Sequence, residues 1–138
     1  MADSVFFELV SPEQLLESGD VAMVVVPGTE GDFAVMPGLA PVVSTLRPGV
    51  IEVYRTEGSV PERIFIHGGF ADVALDRLTI LADDAVHVEH MTRESVEARV
   101  ARVREDIVAA ESDETRLQHE SALEQLMDLA NVHNHNNR

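Results

Sequence analysis

The sequence contains no cysteine, no lysine and no tryptophan. Without cysteine there are no disulfide staples, no thiolate metal sites and no thiol nucleophile, which fits a reducing compartment. Without lysine, the ten basic residues are all arginine, set against 25 acidic ones. The resulting formal net charge of −15 repels nucleic-acid phosphates and anionic lipid headgroups, so nucleic acid is excluded as a partner. Aromatic residues make up only 4% of the chain, so the core must be aliphatic. No apolar run approaches the ~20 residues that span a bilayer as a helix. The opening Met1-Ala2-Asp3-Ser4 lacks the basic start of a signal peptide. The expectation is a soluble, cytoplasmic chain with no direct membrane insertion.

What is present falls into two halves. The chain has 138 residues, enough for one domain or a small domain with an appendage. From Val5 to about Glu89, short valine-rich runs alternate with turn signals. Val5–Val10 reads as a strand closed by Ser11-Pro12-Glu13. Val21–Val26 reads as a strand buried on both faces and ended by Pro27-Gly28. Further runs cover 32–36, 42–46, 50–54, 63–67, 70–75, 78–82 and 85–88. Pro37-Gly38, Pro48-Gly49 and Gly68-Gly69 punctuate them, the last as a break or bulge. About nine or ten strands at this spacing predict an all-β sandwich or barrel.

At Met91-Thr92 the period changes. Val96, Val100, Val103, Ile107 and Ala110 recur at steps of four and three, one apolar stripe on a helix. Thr92 is placed to cap it, with Glu94 and Glu97 in the first turn, where the helix dipole favours acids. Glu111 to Glu114 is polar and suits a tight turn. A second stripe follows: Leu123, Leu126 or Met127, and Ala130, with Leu117 and Leu129 at its edges. Two such helices joined by a short turn form an antiparallel hairpin. The expected fold is therefore mainly β plus α: a β-sandwich or barrel of nine or ten strands over residues 1–90, then an antiparallel two-helix hairpin over 91–138, with a polar tail that frays from about His133.

No constellation carries catalysis. Pro27-Gly28-Thr29-Glu30-Gly31 is rich in glycine, but it lacks the Gly-Lys-Ser/Thr ending of a phosphate loop and leads into a strand. His67, His87 and His90 have no carboxylate at a recognised ligand spacing, and His133 and His135 lie in the polar tail, so no metal site is expected. Asp83-Asp84 and Asp72/Asp76 have no nucleophile beside them and read as solvated turn residues. On residues alone, the reading stops at a small β-sandwich with a helical tail that binds other proteins, an adaptor with a helical oligomerisation hairpin. A cupin-type enzyme would need clustered His and Glu ligands that the strands do not supply.

One run says more. Val24 to Pro41, with Gly28-Thr29-Glu30-Gly31 between two strands and then Pro37-Gly38-Leu39-Ala40-Pro41, resembles the signature of ATP synthase epsilon subunits. Thr45 to Val50, Gly68-Gly69-Phe70, Leu78 to Asp83 and Phe7 to Glu13 continue the resemblance in order and at nearly ungapped spacing. It implies a ten-stranded β-sandwich followed by the two-helix hairpin, and a non-enzymatic, cofactor-free rotor subunit of the central stalk of an F-type ATP synthase. Such a subunit binds the gamma subunit and the ring of ion-carrying subunits at the cytoplasmic face of the inner membrane. It couples proton flow to ATP synthesis, and its C-terminal helices, which reach the alpha and beta subunits, restrain ATP hydrolysis in many bacteria. By the same resemblance, Glu30, Gly31 and Asp32 form the ring-facing loop, with Leu39, Ala40 and Pro41 near the same end. Val96, Val100, Val103, Ile107, Leu123 and Leu126 form the hairpin or partner face.

Two departures stand out. Leu39 replaces the family histidine of Pro-Gly-His-Ala-Pro. The nucleotide motif that some members carry on the first helix keeps only Arg99, with Val96 in place of its aspartate. No nucleotide binding is expected.

Overall fold

The computed structural model describes residues 4–136, with side chains described as far as 129. The strands are β1 (Val5–Val10), β2 (Leu15–Val21), β3 (Met23–Gly28), β4 (Gly31–Val35), β5 (Val42–Tyr54), β6 (Glu62–Ala74), β7 (Arg77–Leu81) and β8 (Ala85–His87). One 3-10 turn, Val88–His90, leads to α1 (Arg93–Ala109) and α2 (Asp113–Asn136). The chain divides into two compact units, Met1–His87 and Val88–Arg138.

The described residues form eight strands rather than ten. β5 and β6 are each 13 residues long and serve two layers. The first half of β5 pairs with the second half of β6, and β7, β1 and β2 extend that layer outward. The second half of β5 pairs with the first half of β6. There β3 and β4 lie on one side and β8 on the other. Two five-stranded layers thus share two bent strands and comprise ten segments, nine of which correspond to the runs read from the sequence. Pro48-Gly49 and Gly68-Gly69 are bends inside continuous strands, not ends. β2 escaped the reading because its sequence, LLESGDV, carries a glycine and three polar residues and no sustained apolar run.

Alternation builds the core. Val5, Phe7 and Leu9 on β1, Leu78 and Ile80 on β7, and Ala71 and Val73 on β6 face inward from one layer. Val24, Val26, Ile51, Val53, Ile64 and Ile66 meet them from the other. At the bend of β6, Gly69 has φ +157, and a Cβ there would lie 2.2 Å from the carbonyl oxygen of Leu81. Only glycine lets β6 pass this close to β7.

The helices pack on each other. Thr92 caps α1, its side chain accepting a hydrogen bond from the Ser95 amide at 3.1 Å. Ser112 does the same for α2 through the Thr115 amide at 3.1 Å. Val96, Val103, Ala122 and Leu126 are buried, whereas Val100, Ile107 and Leu123 are half-buried. Helix α2 continues through Asn136, past the point where fraying was expected. The side chains of Ala130, His133 and His135 lie outside those described.

Candidate functional site: the acidic hairpin tip and the sandwich faces

The tip begins with a glycine pair. Gly28 and Gly31 close the β3–β4 ladder around Thr29 and Glu30. A Cβ on Gly28 would lie 2.6 Å from the Gly31 carbonyl oxygen, and Gly31 has φ +131, so a turn this tight needs both glycines. Three polar ties then hold the turn to the bend of β5. The Thr29 amide donates to the Thr45 carbonyl at 3.0 Å, the two threonine hydroxyls meet at 2.8 Å, and Asp32 is ion-paired with Arg47. Arg47 is largely buried, and its Nη1 has no hydrogen-bond partner among the described residues. Glu30, Gly31 and Asp32 are exposed. The result is a carboxylate-bearing tip on a rigid mount.

Leu39, Ala40 and Pro41 lie on the connection that leaves the far end of β4. There the Leu39 amide donates to the Met36 carbonyl at 3.3 Å. The side chain of Leu39 packs against the core, while Ala40 and Pro41 are exposed. Met36 and Pro37 line an open basin of about 1090 Å³ with Met23, Tyr54, Arg55 and Ser59. The three polar ties of the tip run to β5 and not to this connection.

A cluster that no sequence spacing foretold sits where four strands meet. Arg55 is ion-paired with Glu17 and bonds Glu62 through Nη2 at 3.1 Å and Nε at 3.3 Å. Glu17 also meets His87 Nε2 at 3.1 Å. The Arg55 guanidinium holds its proton more tightly than usual, first because of the bond to Glu62, with Glu17 adding to the effect and burial opposing it. The cluster ties β2, at the edge of one layer, to β6 and β8 of the other. All four groups are part-exposed, so its value is positional more than energetic.

The remaining candidates are ordinary surface and turn residues. Asp76 takes φ 63 in the β6–β7 turn, and its carbonyl accepts from the Phe6 amide at 2.9 Å. The Asp84 carbonyl accepts from the His67 amide at 3.2 Å. Arg99 folds back along its own helix, with Nη1 2.6 Å from Ser95 Oγ, and Val96 is buried. Among the described residues no group of three or more His, Asp or Glu is arranged to hold a metal ion. No helix in the same range is long and apolar enough to cross a membrane.

Comparison with known proteins places this architecture. Residues 4–88 match the family model described as ATP synthase, Delta/Epsilon chain, beta-sandwich domain. The ATP synthase epsilon chain of Parvibaculum lavamentivorans is 48% identical over 126 residues, covering 91% of this chain and 92% of that one. The epsilon chain of Rhodospirillum rubrum is 51% identical over 113 residues, covering 82% and 84%. Among solved structures, a chain of the Euglena gracilis mitochondrial ATP synthase, OSCP/F1/c-ring in rotational state 1, superposes with a TM-score of 0.68 at 26% identity. That match covers 96% of this chain and 82% of the other. A chain of the Tetrahymena thermophila mitochondrial central stalk and c-ring shares the fold, with a TM-score of 0.60 at 11% identity. With its β-sandwich and helices aligned to bacterial epsilon chains over most of their length, this chain belongs to the epsilon chains of the ATP synthase delta/epsilon family.

Proposed function

We propose that this chain is a non-catalytic, rotating central-stalk subunit that couples proton flow through the membrane ring to ATP synthesis. In this reading it docks on the gamma subunit and on the ring at the cytoplasmic face of the inner membrane. The observation that carries the reading is the mounting of the acidic tip. Coupling requires that force applied at a loop reach the body of the subunit without the loop yielding. Here the tip is pinned to the bend of β5 by Thr29–Thr45 and Asp32–Arg47, and β5 runs through both layers of a close-packed core.

The test reverses a charge at the tip. Glu30 is the better position, because Asp32→Arg would also strand the largely buried Arg47 without its carboxylate, a folding defect in itself. Glu30→Arg in the assembled enzyme is expected to lower ATP-driven proton pumping by a larger factor than ATP hydrolysis. Equal pumping per ATP hydrolysed in variant and wild type would remove the tip from the ring contact.

The hairpin is assigned a second role in the same reading, restraint of ATP hydrolysis through contacts with alpha and beta subunits. Among the described residues its buried seam consists of Val96, Val103, Ala122 and Leu126. Val108, 89% exposed, and Leu117 leave apolar side chains near its turn. A chain ending at His90 tests both this role and the division into domains. It is expected to melt cooperatively with β-type circular dichroism, and enzyme assembled with it is expected to hydrolyse ATP faster. Aggregation of the shortened chain would make the hairpin part of the sandwich's fold. Unchanged hydrolysis would end the restraint reading.

A further inference from the structure

The two carboxylates of the tip stand in different surroundings. Glu30 is exposed and takes part in none of the three ties to β5. Asp32, two positions on, is ion-paired with Arg47. Alternation explains its direction: Phe33 packs against the core, so the neighbouring Asp32 faces outward. Arg47 is fixed on its own side. Gly28, at the foot of the tip, pairs with Leu46, the residue before it. The β5–β6 register steps from Leu46–Gly69 to Pro48–His67, so Arg47 stands outside the ladder at the bend itself. Pro48 then holds the backbone of the residue before it extended.

Stability does not account for an arginine at this position. Its side chain is 14% exposed, and Nη1 is buried with no hydrogen-bond partner among the described residues. Burying a guanidinium nitrogen unpaired is a cost, and a buried ion pair often stabilises no better than apolar side chains of similar volume. Asp32 is 56% exposed, so water would solvate its carboxylate if the arginine were absent. Position is the better account. β4 is an edge strand, hydrogen-bonded only to β3. The two threonine ties hold the turn before Gly31, whereas the ion pair takes hold after it and reaches β5 across β3. Gly31, at φ +131 with nothing near its Cβ position, is where the tip would yield. Glu30 is thus clamped from both sides.

From this geometry, and resting on the coupling role proposed above, we infer that Arg47 is a positioning residue for the tip, and that Asp32 serves the ring contact through Arg47 rather than by touching the ring. Glu30 alone is presented outward.

The assembled enzyme carrying Arg47→Met tests this, with ATP-driven proton pumping measured against ATP hydrolysis. Methionine suits a long, largely buried site and removes the guanidinium fork. Arg47→Met is expected to lose as much pumping per ATP hydrolysed as Glu30→Arg, while the full-length chain melts within about 4 °C of wild type. Arg47→Lys, which keeps the charge without the fork, is expected to fall between Arg47→Met and wild type. In the Arg47→Met background, Asp32→Asn is expected to lower the ratio no further. A further loss on adding Asp32→Asn would make Asp32 a ring contact in its own right and overturn the inference. A melting temperature that falls in step with pumping would make Arg47 a prop of the fold and overturn it as well. Full pumping in Arg47→Met beside a loss in Glu30→Arg would overturn the role of Arg47 and leave the coupling reading standing. Full pumping in both would overturn the reading itself.

Discussion

Gly69→Ala is expected to cost on the order of 3 kcal/mol or more of folding stability, a large share of the 5–15 kcal/mol typical of a domain. Two terms add. At φ +157 an alanine is strained whatever its surroundings. In addition, its Cβ would sit 2.2 Å from the Leu81 carbonyl oxygen, 3.2 Å from that carbonyl carbon and 3.3 Å from Ala82 Cα. All three are backbone atoms, so no rotamer change relieves the clash. Relief requires separating β6 from β7 at the Phe70–Leu81 pair, which is where β6 leaves one layer for the other. Urea unfolding read by circular dichroism is the measurement, with Gly38→Ala as reference. Gly38 has φ +83, but an alanine methyl there would meet nothing within 4 Å, so it reports strain alone, roughly 1 kcal/mol. Equal losses at the two sites would mean that β6 and β7 have room to part.

Phe7→Ala is expected to cost about 3–5 kcal/mol, the range for removing a buried phenyl ring, and to fall near its upper end. Phe7 is fully buried at the middle of β1, between Leu78 of β7 and Gly19 of β2. Gly19 has no side chain to lean into the void, and a Cβ there would already meet Arg55 Nη1 at 3.0 Å. The cavity therefore stays open. Phe70→Ala removes the same ring from a position 39% exposed and is expected to cost only about 1–2 kcal/mol. If the two variants unfold at the same urea concentration, the core is not organised around Phe7. The functional consequence follows from the central-stalk reading: a sandwich softened at β1 would enter the assembled enzyme in lower yield than one carrying Phe70→Ala.

Local pattern made a good part of this legible. The apolar runs between turn signals marked Val5–Val10, 50–54 and 63–67 as strands, and on a strand adjacent side chains must face opposite ways. The change of period at Thr92 and its capping chemistry located the start of α1, since a helix needs its first amides satisfied. The glycines and prolines were equally visible, but not what they do. A Gly-Gly or Pro-Gly pair reads the same whether the chain turns back or bends and goes on, and β5 and β6 go on.

The amino-acid sequence by itself determined the class of the fold, the division between strand and helix periods, the aliphatic character of the core and, through the order of its motifs, the family. These follow from chemistry between residues a few positions apart. The tertiary structure decided the rest: that two bent strands belong to both layers, that β2 exists at all, that Glu17, Arg55, Glu62 and His87 meet, and that Arg47 of β5 reaches Asp32 of β4 across β3. Each depends on strand register, and register is set by neighbours far away in the chain, as with Glu17 and His87, 70 positions apart. Whether an outward carboxylate stands alone in water or meets a guanidinium is a property of the adjacent strands, which no window along the sequence contains.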